Sequence, residues 1–182
     1  VKNGFHGKIY STFATRDLSV VMLQDSAHIQ EKDVEFVNKK RKRLGKKLFE
    51  PLYVPDDAAK ALDLFVGINY HQEYEIVPGI KLRFYDAGHI LGSAGILLEN
   101  NNHKIFYSGD INFTTQTLLH GANLPETKID TLILETTYGA TDSELLLDWN
   151  SESFRFAKEV NKILNNGGSI LIPVFSLGKT QE

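Results

Sequence analysis

The sequence contains no cysteine. Disulfides and thiolate metal sites are thereby excluded, and any metal must rest on histidine and carboxylate side chains. Long apolar runs are missing as well. A run such as Thr131-Leu132-Ile133-Leu134 falls far below the roughly 20 residues needed to cross a bilayer. No charged-then-apolar leader opens the chain, so no secretion signal is expected. The first residue, Val1, is not methionine, which suits the interior of a longer protein. Internal repeats and low-complexity tracts are absent. So is a large excess of one charge: the formal net charge of −3 does not mark a nucleic-acid binder, although an enzyme that holds cations on carboxylates can act on nucleic acid at that balance. What is present is ordinary for a globular chain: 182 residues, 42% hydrophobic and 24% charged, enough for one domain or one and a half.

Local patterns divide the chain. Residues 8–12 read as a short strand. Asp17 is placed to cap a helix over residues 18–24. Residues 29–47 are polar and end in Lys39-Lys40-Arg41-Lys42-Arg43-Leu44-Gly45-Lys46-Lys47, seven cations in nine residues. A run of like charge repels itself, so a solvated, mobile loop is expected, with phosphate contact as the alternative. Asp56, after Pro55, is expected to cap a helix reaching Phe65, with Gly67 as its stop. Residues 81–85, 94–99 and 104–107 read as an antiparallel meander, its second turn made by Asn100-Asn101-Asn102 because asparagine tolerates positive φ. The apolar run at 129–135 predicts a buried strand. A helix over 143–164, closed by Gly167-Gly168, and a strand over 169–174 follow, which together suggest a parallel α/β unit.

Candidate chemistry clusters where these strands end. In Asp86-Ala87-Gly88-His89-Ile90-Leu91-Gly92-Ser93 the glycines let the backbone bend tightly and carry His89 to the sheet edge. Alternate strands of a meander end on the same edge, so Asp110, 21 residues further on, belongs to the same rim. An imidazole and a carboxylate there are two suitable zinc donors. Two polar loop residues capping turns is the other reading of the same pair. Glu135 directly follows a buried run, and the carboxyl ends of strands commonly line sites; an exposed strand end before a turn at Gly139 is its alternative. His6, His28, His71, His103 and His120 form no His-x-His or i,i+4 pair and read as structural or surface residues.

Taken in order, these stretches resemble the metallo-β-lactamase superfamily, β-CASP branch, over nearly the whole chain. Gly4-Phe5-His6-Gly7-Lys8-Ile9-Tyr10-Ser11-Thr12, with Thr15-Arg16-Asp17-Leu18, resembles the segment after the family's His-x-His-x-Asp-His motif, and Asp25-Ser26-Ala27-His28-Ile29-Gln30 also fits. Ala87-Gly88-His89 with Gly92-Ser93 resembles the third metal motif and Tyr107-Ser108-Gly109-Asp110 the fourth. Glu135-Thr136-Thr137-Tyr138-Gly139 resembles the acidic motif that opens the β-CASP domain, and Pro173-Val174-Phe175-Ser176-Leu177-Gly178-Lys179-Thr180-Gln181-Glu182 a stretch inside it. Lys179 stands where arginine is usual and Thr136 where serine is usual.

The resemblance implies an α/β fold: a partial αββα metallo-β-lactamase-like sandwich over residues 1–138, then the start of a β-CASP α/β domain over 139–182. It implies a nuclease that uses two zinc ions to cut RNA phosphodiesters, in processing or decay. His89 would bind one zinc, Asp110 would bridge both and take part in catalysis, and Glu135 would act by positioning a later histidine. The His-x-His-x-Asp-His motif is expected upstream of Gly4 and the later histidine motifs beyond Glu182, so the chain is expected to be an incomplete piece, inactive alone. RNA is the implied substrate, with a homodimer or an RNA-processing complex as the assembly, no membrane, and a cytoplasmic location, or nuclear in a eukaryote. A DNA-repair nuclease of the same branch and a non-catalytic scaffold subunit are the alternatives. Glu rather than Asp at 135 favours RNA over the first, and the presence of His89, Asp110 and Glu135 argues against the second.

Overall fold

The computed structural model describes residues 1–142 and 149–181. The chain forms two compact units, Val1–Ile133 and Leu134–Glu182.

The first unit is built on the meander. Strands β4 (Ile80–Asp86), β5 (Ala94–Asn100) and β6 (His103–Tyr107) pair antiparallel. The sheet is extended at one edge by β3 (Tyr74–Val77) and at the other by β7 (Thr131–Ile133), in the order β3-β4-β5-β6-β7. Period-2 alternation makes the strands two-faced. Leu82 and Phe84 on β4 and Ile96 and Leu98 on β5 share one face, where they pack with Tyr10, Val66 and Ile68. Those last three come from a second, parallel sheet of β1 (Ile9–Thr12) and β2 (Phe65–Ile68). Tyr85, Leu97 and Phe106 form a smaller cluster on the opposite face. Helices α1 (Phe13–Arg43) and α2 (Pro55–Leu62) contact each other, and α1 contacts β1 and β2. These are the helix and double-sheet layers of a partial αββα sandwich.

Several local expectations are corrected. Strands β2 and β3 form where none was expected, and Gly67 lies within β2 rather than ending a helix. The residue that caps α1 is Thr12, whose extended backbone and Oγ1, accepting from Thr15 N at 3.1 Å, start the helix five residues before Asp17. The helix then continues through the polar region to Arg43. Polarity excludes burial there, not helicity: Gln, Glu and Lys are good helix formers, and no glycine or proline intervenes before Gly45. The basic run is therefore the last turn of a helix and its closure, not an open loop. Helix α2 starts at Pro55, with Val54 before it and the Asp57 carboxylate accepting from Val54 N at 3.1 Å, so Asp56 is inside the helix. The asparagine turn is held by a side chain rather than by positive φ: Asn100 Oδ1 accepts from Asn102 N at 2.9 Å and His103 N at 2.8 Å. Strand β7 is shorter than expected and exposed, with Leu132 at 58%. It lies at the sheet edge, and an apolar run is buried only where a second element covers it.

In the second unit, α3 (Trp149–Asn165) ends as expected at Gly167, in left-handed conformation, with Gly168 N bonded to Ile163 O at 3.0 Å and Gly167 N to Leu164 O at 2.9 Å. The expected start of this helix, residues 143–148, lies outside the described residues. No strand forms over 169–174; Leu171 there is 93% exposed. A strand needs a ladder partner, and among the described residues this unit offers none, so the expected strand–helix–strand unit is not formed. No helix among the described residues is long and apolar enough to cross a membrane.

Candidate metal centre

The meander places its loops as its topology requires. The C-terminal end of β4, the N-terminal end of β5 and the C-terminal end of β6 share one edge. His89 sits in the loop between the first two and Asp110 just after the third. Their donor atoms, His89 Nε2 and Asp110 Oδ2, are 3.8 Å apart.

The loop carrying His89 is fixed from several directions. Asp86 Oδ1 accepts from Gly88 N at 2.8 Å, and Ser93 Oγ accepts from both His89 N and Ile90 N at 3.2 Å. Thr12 and Thr15 each donate a hydroxyl to Gly92 O, at 2.9 and 2.8 Å, tying the loop to the start of α1. Gln116 Nε2 donates to Gly88 O at 2.9 Å, and Asn112 N to Ala87 O at 2.8 Å. The half-buried Tyr70 donates its hydroxyl to Ser93 O at 2.8 Å. Burial first, and the nearby Asp86 carboxylate second, push the Tyr70 phenol up to about 12, so it stays a donor at any ordinary pH. Tyr70→Phe removes that bond while Ser93 O keeps a second donor, Ala87 N at 3.2 Å. A loss of about 1 kcal/mol is expected, read from denaturant midpoints; an unchanged midpoint would show that the bond adds nothing.

On the other side of the pair, Ser108 is fully buried and its N–H donates to Ile133 O at 2.9 Å. Gly109 then turns the chain in left-handed conformation, φ +59, and presents Asp110. The Asp110 side chain is 78% exposed and that of His89 39%, open to a ligand from solvent. Glu135 belongs to the second unit, where its carboxylate accepts from Thr137 N at 3.1 Å.

The pair suits a zinc ion in kind and spacing. Two donors on one tetrahedral zinc, each at about 2.05 Å, stand about 3.3 Å apart, a few tenths less than the observed separation. It does not suit zinc in number. Such sites take three or four protein ligands, and among the described residues no group of three or more His, Asp or Glu can hold a metal. Two of the other histidines are employed elsewhere: His71 stacks edge-on against Tyr85 at 5.1 Å between centroids, and His103 Nε2 lies 2.8 Å from Thr131 Oγ1.

Sequence reasoning did not find Tyr70, Asn112 or Gln116, which hold the His89 loop. Only the Thr12-x-x-Thr15 pair left a signal, as a strand-end threonine before a helix.

Comparison with known proteins agrees with this architecture. The model of the metallo-beta-lactamase superfamily domain matches residues 2–137. An RNase J-like protein of Methanocaldococcus jannaschii is 33% identical over 96% of this chain and 37% of its own length. The transcription termination factor FttA of Pyrococcus abyssi is 32% identical over 99% of the chain and 26% of its own. The cleavage and polyadenylation specificity factor 73 of Drosophila melanogaster is 34% identical over the whole chain and 24% of its own. The chain thus spans from about a quarter to somewhat over a third of these relatives. It belongs to the metallo-beta-lactamase superfamily.

Proposed function

We propose that this chain is the portion of a zinc-dependent β-CASP nuclease that carries part of its metal rim, and that the whole protein hydrolyses RNA phosphodiesters in transcript processing or decay. The observation that supports this most is the His89–Asp110 pair, 3.8 Å apart on one sheet edge. In this reading His89 and Asp110 would both serve as zinc ligands, Asp110 shared between the two ions, and the remaining ligands would come from other parts of the protein. When bound, the metals supply an activated hydroxide near neutral pH and offset charge on the scissile phosphate.

The chain's own residues supply position. The loop held by Ser93, Thr12 and Thr15 fixes the His89 backbone, and the turn at Gly109 sets Asp110 beside it in the open. Glu135 orients a histidine that protonates the leaving group. Residues 1–138 contribute to the lactamase-like domain and 139–182 open the β-CASP domain. The relatives' names favour RNA over DNA as substrate, as does Glu at position 135. A second copy or an RNA-processing complex is the assembly this reading implies, in the cytoplasm, or the nucleus of a eukaryote.

The test compares two proteins. Residues 1–182 alone, with two ligands where three or four are needed, are expected to bind well under one zinc per chain and to leave RNA uncut. A protein carrying these residues together with the missing motifs is expected to hold zinc by elemental analysis and to cut RNA in a reaction that EDTA stops. Stoichiometric zinc and EDTA-sensitive cleavage by residues 1–182 alone would refute the shared metal site. Cleavage of DNA but not RNA would refute the substrate class.

A further inference from the structure

The far end of α1 is a second charged feature that the metal rim does not explain. Phe36, Lys39, Lys40 and Arg43 fall at i, i+3, i+4 and i+7 of the helix and so share one face. Gly45, at φ +61, closes the helix: Lys46 N bonds to Arg41 O at 3.0 Å and Gly45 N to Lys42 O at 3.2 Å, which folds Lys46 back over the last turn. The following segment is tied down as well. Asn38 Nδ2 donates to Phe49 O at 2.8 Å and Asn38 Oδ1 accepts from Phe49 N at 2.9 Å. The Arg41 guanidinium lies 3.9 Å from the Phe49 ring centroid, and its Nε donates to Lys47 O at 2.6 Å. The cations are carried on a fixed backbone rather than on a loop free to spread them.

Cations at a helix C-terminus complement its dipole, but that dipole amounts to about half a negative charge. Residues 39–47 carry seven cations, and among the described residues only Lys39 of these has an ion-pair partner, Glu35 at 3.0 Å. The excess is local, since the whole chain is net −3. Beside it is an open cleft of about 670 Å³ bordered by Phe36, Lys39, Lys40, Arg43 and Lys46 among others. Phe36 is 77% exposed. An exposed aromatic ring set among ordered cations is the combination that takes single-stranded nucleic acid: the ring stacks a base and the cations follow the phosphates.

We infer that the C-terminal end of α1 is an accessory site for single-stranded RNA, with Lys39, Lys40, Arg43 and Lys46 on phosphates and Phe36 under a base. The identity of the polyanion as RNA rests on the proposed function. The start of α1 is held against the His89 loop at Gly92, and Thr15 to Arg43 spans about 42 Å at the rise of an α-helix. The site is therefore remote from the metal rim and holds substrate without touching the reacting bond.

Binding of a fluorescent 15-nucleotide single-stranded RNA to the 182-residue chain, by anisotropy across a salt series, tests this independently of cleavage. The triple variant Lys40→Gln, Arg43→Gln, Lys46→Gln is expected to weaken binding at least tenfold at low salt. Its slope of log K on log salt is expected to be shallower by about 2, at roughly 0.7 per lost contact on a single strand. Phe36→Ala is expected to weaken binding about fivefold or more with the slope unchanged. Circular dichroism confirms that the helix persists in each variant. An unchanged affinity and slope in the triple variant overturns the site. Loss of heparin and duplex RNA binding equal to that of single strands, with Phe36→Ala silent, overturns its assignment to single strands. Tighter binding to anionic phosphatidylserine vesicles than to RNA assigns it to membrane and overturns it too. In the metal-complete protein the triple variant raises KM for RNA and leaves kcat unchanged. RNA bound here but never cut by that protein would instead refute the nuclease reading while leaving this one standing.

Discussion

Asp110→Ala, made in a protein that carries this chain with the rest of its metal motifs, is expected to lower RNA cleavage by at least about 100-fold, since removing even the outer partners of metal ligands costs 10- to 100-fold. In the proposed site this carboxylate would be a metal ligand, and the metals it would help hold would supply the charge that offsets the scissile phosphate. Zinc content by elemental analysis is expected to fall with the rate. The stability of the metal-free protein is not, because the side chain is 78% exposed, and an exposed substitution typically shifts unfolding by no more than about 0.5 kcal/mol. Single-turnover cleavage under saturating enzyme separates the chemical step from RNA binding. A near-wild-type rate would remove Asp110 from the metal site and return it to the role of a turn residue.

Gly88→Ala is expected to destabilise the first unit by about 2–5 kcal/mol and to displace His89 from the proposed metal site. Gly88 has φ +64, a conformation that costs an ordinary L-residue about 1–2 kcal/mol. A Cβ there would sit 2.5 Å from Asn112 O and 2.6 Å from Ala122 N. Both are backbone atoms that no rotamer change can move, and Asn112 O is the acceptor for Ala122 N at 2.7 Å. Relieving the overlap means shifting the strand-end loop or the 112–122 segment, at about 1–3 kcal/mol for such overpacking. The loop that shifts is the one holding His89. Gly79 provides the control: its φ is +78, but a Cβ would meet nothing within 4 Å, so Gly79→Ala is expected to cost about 1 kcal/mol from conformation alone. Equal denaturant midpoints for the two variants would refute the packing argument.

These two residues also mark what could be read from the chain and what could not. The meander was legible because residues 81–85 alternate, 94–99 and 104–107 read as strands on either side of an asparagine turn, and topology then sends both loops to one edge without further information. His89 beside Asp110 follows from that alone. The long α1 was not legible: residues 29–43 are polar on nearly all sides, and a solvent-facing helix shares its composition with a loop. Strands β2 and β3 are four residues each, too short to show a period, and their identity comes from the partners Ile9–Thr12 and Ile80–Asp86. The exposure of β7 was misread because an apolar run records only what could be covered. The contacts that fix the His89 loop left almost no trace, for they join positions such as Tyr70 and Ser93 whose pairing depends on the finished fold.

The hydroxyls of Thr12 and Thr15 reach Gly92 across 80 and 77 residues of sequence, whereas each turn of α1 closes over four. Loop-closure entropy grows with the logarithm of the intervening length, and contacts of such separation form after local ones. The rim is thus the most non-local part of the unit, dependent on everything between its two ends being in place. It is joined to α1 through the same two threonines that start the helix. Loosening the first turn of α1 therefore reaches His89 without any substitution at the proposed metal ligands, and the geometry of the rim and the integrity of the helix start rise and fall together.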